Sequence, residues 1–130
     1  MKRISRYLKR NQGQGLIEFA VALLILMPIF MGIFDLGRAV YIKSVVSASA
    51  QEGARYGIIQ PSDTAGIENA ARSRAVGLDP SLTNIVISHP DSSTVEVTVS
   101  YDFTAITPLI GAILGGGGHL TLSNTARMGN

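Results

Sequence analysis

An apolar run from Leu16 to Phe34, broken by one charge at Glu18, limits this chain more than any other feature. At 1.5 Å per residue its roughly 19 residues make a helix about 28 Å long, close to the ~30 Å hydrocarbon thickness of a bilayer. One membrane passage fits. An acid at the centre of such a helix costs roughly 2.5–3.5 kcal/mol, and less near the interface, so Glu18 marks a position with a function. Pro28 removes a backbone donor and crowds the Leu24 carbonyl, which predicts a bend or a loosened turn.

Charge sets the orientation. Five of the eleven basic residues, Lys2, Arg3, Arg6, Lys9 and Arg10, precede Gln14, whereas all nine acids follow it. Basic residues beside a first membrane segment favour the cytoplasmic side, which sends everything after Phe34 outward. A cleavable signal peptide shares the basic start, but its apolar core is about 7–15 residues and ends at a small-residue site. Here the run is longer and no Ala-x-Ala site clearly ends it, so the helix is expected to be retained. The basic cluster is a flank with Tyr7 as its only aromatic, which argues against nucleic acid as a partner. With no cysteine, the outer part can occupy an oxidising compartment without disulfides.

Around Glu18 stands Gly13-Gln14-Gly15-Leu16-Ile17-Glu18-Phe19. This arrangement resembles the processing site of type IV-pilin-like proteins, in which a prepilin peptidase cuts after a glycine and leaves glutamate fifth in the mature chain. Cutting after Gly13 makes Gln14 first and Glu18 fifth, whereas cutting after Gly15 puts Glu18 third. Phe19 resembles the aromatic partner of that glutamate in the Flp/Tad branch, and Glu52-Gly53-Ala54-Arg55 is similar to a segment common in TadE-like minor pilins, or pseudopilins. The resemblance implies a single-pass inner-membrane protein with a cytoplasmic N-terminus, processed between Gly13 and Gln14. Glu18 would then pair with the new amino group at Gln14 of a neighbouring subunit. Its implied partners are the prepilin peptidase, other minor pilins, the major Flp-type pilin or the Tad assembly platform, and the lipid bilayer, in a hetero-oligomer that enters a surface pilus or serves its base. Lateral packing is assigned to Ala22, Leu23, Leu26 and Ile29. The stretch Asn11 to Gly15 is polar and glycine-rich, hence poorly helical and open to a protease.

The expected organisation is a leader at 1–13, a membrane helix at 14–34 and an extracytoplasmic α+β head at 35–130. The helix continues to about residue 58, carrying small residues at Ala39, Val46, Ala50, Gly53, Ala54 and Gly57 for close packing on the chain's own sheet. Asp35, Arg38, Lys43 and Arg55 are expected on the wetter side, with Glu52 and Arg55 as a surface ion pair. Asp63 or Thr64 caps a second helix over about 64–76. Strands are expected at about 84–89, 94–104 and 119–128, the first two joined by the loop His89 to Ser93. Val95, Val97, Val99, Tyr101 and Phe103 alternate with polar residues, which predicts a half-buried antiparallel strand. The apolar stretch Ala105 to Leu114 is expected as a loop or short helix folded over the sheet end as core.

Catalysis has no visible constellation. His89 and His119 lack ligand-spaced companions, so no metal or cofactor is expected. The run Gly115 to Gly118 lacks the Lys and Ser/Thr of a phosphate loop. A binding and assembly role is therefore expected rather than an enzyme. The main rival is an uncleaved, signal-anchored extracytoplasmic binding domain, and a membrane-tethered enzyme stands third.

Overall fold

A computed structural model describes the backbone of residues 4–115 and 117–129, and side chains from residue 13 onward except at 109 and 114. Lys2 and Arg3, with the side chains of Arg6, Lys9 and Arg10, lie outside the described residues. One helix, α1 (Ile4–Ile59), accounts for much of the chain and continues through Pro28. Its most apolar window has a mean hydropathy of 2.5, and none of that window is buried against the rest of the chain. The expected poorly helical stretch at Gly13 to Gly15 is helical instead. Once a helix is nucleated, propagation past a glycine costs only about 1 kcal/mol, and favourable residues on both sides absorb that.

The head follows from three patterns. Small residues on the outer half of α1, Ala50, Gly53, Ala54 and Gly57, are buried and let α2 (Thr64–Arg74) and the sheet approach its backbone. A β-carbon at Gly53 would stand 3.1 Å from both Ala71 Cβ and Val97 Cγ1, and one at Gly57 only 2.7 Å from Val95 Cγ1. Asp63 caps α2, its Oδ1 accepting the Gly66 amide at 3.0 Å while Oδ2 accepts the Tyr56 hydroxyl at 3.0 Å. Ile67 and Ala71 form the buried face of α2, and the Ser49 hydroxyl donates to the Ala71 carbonyl.

Strands β1 (Thr83–Asp91), β2 (Thr94–Thr104) and β3 (His119–Gly129) form an antiparallel meander in the order β1-β2-β3. The clean alternation of β2 places Val95, Val97, Val99, Tyr101 and Phe103 in the core against α1. Ala126 of β3 is buried with them, and Leu122 and Met128 flank the cluster. The hairpin is tighter than expected. Asp91 pairs with Thr94 across Ser92-Ser93, and the register shifts between Ser88 and Asp91, where Pro90 has no amide to donate. A short 3-10 turn, Pro80–Leu82, leads into β1 and is capped by Asp79. The α+β layout of long helix, second helix and three-stranded sheet is as the sequence predicts.

Three local expectations need correction. The stretch after β2 forms a short helix, α3 (Pro108–Leu114), and is core only in part: Ala105 packs against the core and Thr107 is buried, but Ile106 and Ile113 are exposed. Asp35 is not on the wetter side, because its carboxylate collects two backbone amides from that same segment. Glu52 meets Arg74 of α2 at 3.8 Å rather than Arg55, because α2 lies alongside and its last turn reaches across.

Candidate assembly face of the long helix

Two halves of α1 present different surfaces. From Asp35 to Gly57, a line of residues that includes Ile42, Val46, Ala50 and Gly53 is buried under the head. From Leu16 to Phe34 the described large apolar side chains are exposed, Leu24 at 76%. With about 100° between successive residues, Glu18, Ala22, Leu23, Leu26 and Ile29 stand roughly 100–180° around the helix from the line through Asp35, Ile42, Val46 and Gly53. Against the whole buried arc, which also takes in Ala50, Ala54 and Gly57, Leu23 and Leu26 lie on the side opposite the head, Ala22 lies to one side, and Glu18 and Ile29 lie at its edge. The same face continues outward through Ile33, Leu36 and Val40, all exposed. Leu36 and Val40 were absent from the sequence assignment. Their signal was available as an i, i+4 apolar pair beside the small-residue stripe.

Gln14 and Glu18 are one turn apart on this helix, and the Gln14 side-chain amide lies 3.5 Å from Glu18 Oε1. Both are exposed, as is Phe19. No cation of the described chain lies within ion-pair distance of Glu18. An acid in that position is free to meet a charge from outside the chain, where desolvation favours a paired partner over a lone one. A β-carbon at Gly13 or Gly15 would meet nothing within 4 Å, so no packing demands glycine there.

The motif residues Glu52, Gly53, Ala54 and Arg55 divide by face. Gly53 and Ala54 are buried against α2 and β2, which is why small residues stand there. Arg55 is exposed on the outer side of α1, and Glu52 is the bridge to Arg74. This motif therefore builds the head.

Where the head meets the apolar half, Asp35 is 4% exposed. Its Oδ2 accepts the Thr107 amide at 2.7 Å and its Oδ1 accepts the Ile106 amide at 3.2 Å, pinning the start of α3 to the helix. The Thr107 hydroxyl is buried beside that carboxylate but makes no hydrogen bond of ordinary geometry. Arg38, one turn on, lies 5.2 Å from the centre of the Phe103 ring and donates to the Thr104 carbonyl at 3.4 Å. Lys43 Nζ donates to the Ser123 carbonyl, so the basic side chains of this half brace the sheet edge.

The histidines are apart from one another in function. His89 Nε2 lies 2.9 Å from the Pro61 carbonyl and His119 Nδ1 lies 3.1 Å from the Thr104 hydroxyl. Among the described residues no group of three His, Cys, Asp or Glu side chains is arranged to hold a metal.

No curated protein and no solved structure matches the chain. The family model described as TadE-like protein matches residues 13–55, which takes in the Gly13 to Phe19 segment, the apolar half of α1 and the Glu52 to Arg55 motif, and over this segment the chain is similar to that family.

Proposed function

We propose that this protein is a TadE-like pseudopilin, a prepilin-peptidase-processed subunit or assembly factor of a Tad-type pilus or secretion apparatus, and that it works by assembly rather than catalysis. The observation that carries this reading is an exposed acid, one turn from Gln14, on an apolar half-helix whose large side chains are left bare by the rest of the chain. Cleavage after Gly13 removes the five basic residues that hold the N-terminus in the cytoplasm and creates an amine at Gln14. That amine and Glu18 neutralise each other between neighbouring subunits at one axial stagger. Each is costly alone in an apolar bundle, so burial and alignment become coupled. Ala22, Leu23, Leu26 and Ile29 provide lateral contact to pilin-like helices, extended outside the bilayer by Leu36 and Val40.

The peptidase requires the helix to open locally at its N-terminal end, and the two glycines lower the cost of doing so. That same helical conformation favours the second reading, an uncleaved anchor carrying a binding domain. Intact mass and N-terminal sequencing of the membrane-extracted protein separate them. In cells that possess a prepilin peptidase, the expected chain begins at Gln14, and Gly13→Leu abolishes the cut. A chain that keeps Met1 in those cells removes the pseudopilin reading and leaves the anchored domain.

A further inference from the structure

The segment that corrects the sequence expectation has a position that suggests its use. Asp35 holds the amides of Ile106 and Thr107, and Ile110 Cδ1 lies 3.7 Å from where a β-carbon on Gly32 would stand. The start of α3 and Ile110 are thus fixed level with residues 32–35, where the apolar run of α1 ends. Ile106 is 68% exposed and Ile113 is 76% exposed. At the same level of α1, Ile33 and Phe34 are exposed too, on other sides of the helix, so both the helix and the head present apolar surface where the run ends. Between Asp102 and Arg127 the chain contains no Asp, Glu, Lys or Arg. An open hollow of about 450 Å³ lies along this segment, lined by Ala105, Ile106, Thr107, Pro108, Gly111 and Ala112 among others.

We infer that the segment Ala105 to Gly115 is a membrane-contact foot, seated among the outer-leaflet lipids beside the point where α1 leaves the bilayer. The inference rests on the membrane-span reading of residues 14–34. Lipid is the occupant because the patch adjoins the span itself, at the same height, on the side of α1 that carries Gly32 and Asp35, and it belongs to the head rather than to the helix residues assigned to lateral packing. A foot without charge avoids the desolvation that would exclude a charged loop from that depth. It also accounts for Asp35: an acid at the membrane boundary has its carboxylate filled by backbone amides and is screened from lipid by the segment that supplies them. Two attachments, α1 and the foot, then fix the tilt of the head against the bilayer.

The chain has no tryptophan, so an introduced indole reports alone. Full-length Ile113→Trp protein is reconstituted in phosphatidylcholine vesicles with and without acyl-brominated phosphatidylcholine, beside Leu24→Trp as the span reference and Val86→Trp as an outward-facing sheet reference. The expected result is blue-shifted emission at position 113, quenched by the brominated lipid, with no quenching at position 86. Ile106→Trp repeats the measurement from the other end of the foot. If position 24 is quenched while positions 113 and 106 behave like position 86, the foot is wrong and the span stands. Blue-shifted emission at 113 without bromine quenching assigns the patch to a protein surface and equally overturns the inference. Absence of quenching at position 24 removes the span, and the foot with it.

Discussion

The inner and outer halves of α1 are one continuous helix facing two solvents. Between Leu16 and Phe34 most side chains are large and apolar, with Glu18 the one charge, and the described large ones are exposed. Between Asp35 and Ile59 the inward residues are buried, Ile42 and Val46 first and then the small Ala50, Gly53, Ala54 and Gly57, and polar side chains occupy much of the outward face. Hydropathy alone does not separate these regimes, since valine, alanine and isoleucine occur in both. Burial does: an apolar side chain covered by the head has its partner in the chain already, and large exposed ones mark where the partner lies outside it. Exposed Leu36 and Val40 carry apolar surface past Phe34, where the long apolar run ends.

The largest expected effect tests whether the head is a packed core independent of the span. Phe103 is 2% exposed. Phe103→Ala is expected to destabilise the head by about 3–5 kcal/mol, as burial is lost and a cavity opens. Leu24→Ala, made in the exposed apolar half, is expected to leave the head's unfolding midpoint unchanged. Denaturant unfolding of the full chain in detergent, followed by near-ultraviolet circular dichroism, measures both. A shift from Leu24→Ala comparable to that from Phe103→Ala would break the division between the two halves.

A single kind of substitution should change sign along the same helix. At Gly57 an added methyl meets Val95 Cγ1 at 2.7 Å, so Gly57→Ala is expected to cost about 1–3 kcal/mol through overpacking, against any gain in helix propensity. At Gly37 nothing lies within 4 Å, and Gly37→Ala is expected to stabilise the helix by up to about 1 kcal/mol. Thermal unfolding of the two variants beside the parent chain gives the signs directly. Equal signs would mean that the stripe is not what brings the sheet onto α1.

Much of the architecture was legible because its signals are local. The apolar run gave the inner helix, the β-branched alternation of β2 gave the buried face from Val95 to Phe103, and the small-residue stripe gave the docking line. What escaped was the product of distant meetings. Asp35 reads as a solvated acid just past an apolar run, but its hydrogen-bond donors are 71 and 72 residues away. Glu52 reads as a partner for Arg55 at helical spacing, and only the placement of α2 brings Arg74 to it instead. The segment Ala105 to Leu114 reads as core because it is apolar, and its exposure beside Gly32 follows from where β2 ends on α1. For the candidate site, the Gly13 to Phe19 motif was assigned by spacing and the packing residues by their place in the apolar run. That the chain's own head leaves them exposed required the fold.

The smallest expected effect concerns pH and separates aqueous electrostatics of the head from the span. The Asp79 carboxylate accepts the Ser81 hydroxyl at 2.7 Å and the Ser81 amide at 2.9 Å. Those bonds, the hydroxyl first, hold its pKa below the ordinary value of 3.8 despite the opposing pull of desolvation. Because the folded value is the lower one, this group contributes stability above the ordinary carboxylate range, and that contribution is lost as pH falls through 3.8 toward the folded value. Asp79→Asn keeps an acceptor for the 3-10 turn while removing the titration. Its unfolding midpoint is therefore expected to fall less steeply than the parent's on the acid side of that range and to run parallel to it near neutrality. Glu18→Gln, made in the apolar half, is expected to leave the head's acid profile unchanged. If Glu18→Gln flattens that profile as Asp79→Asn does, the head senses the charge state of the inner half, and the two halves of α1 are coupled rather than merely joined.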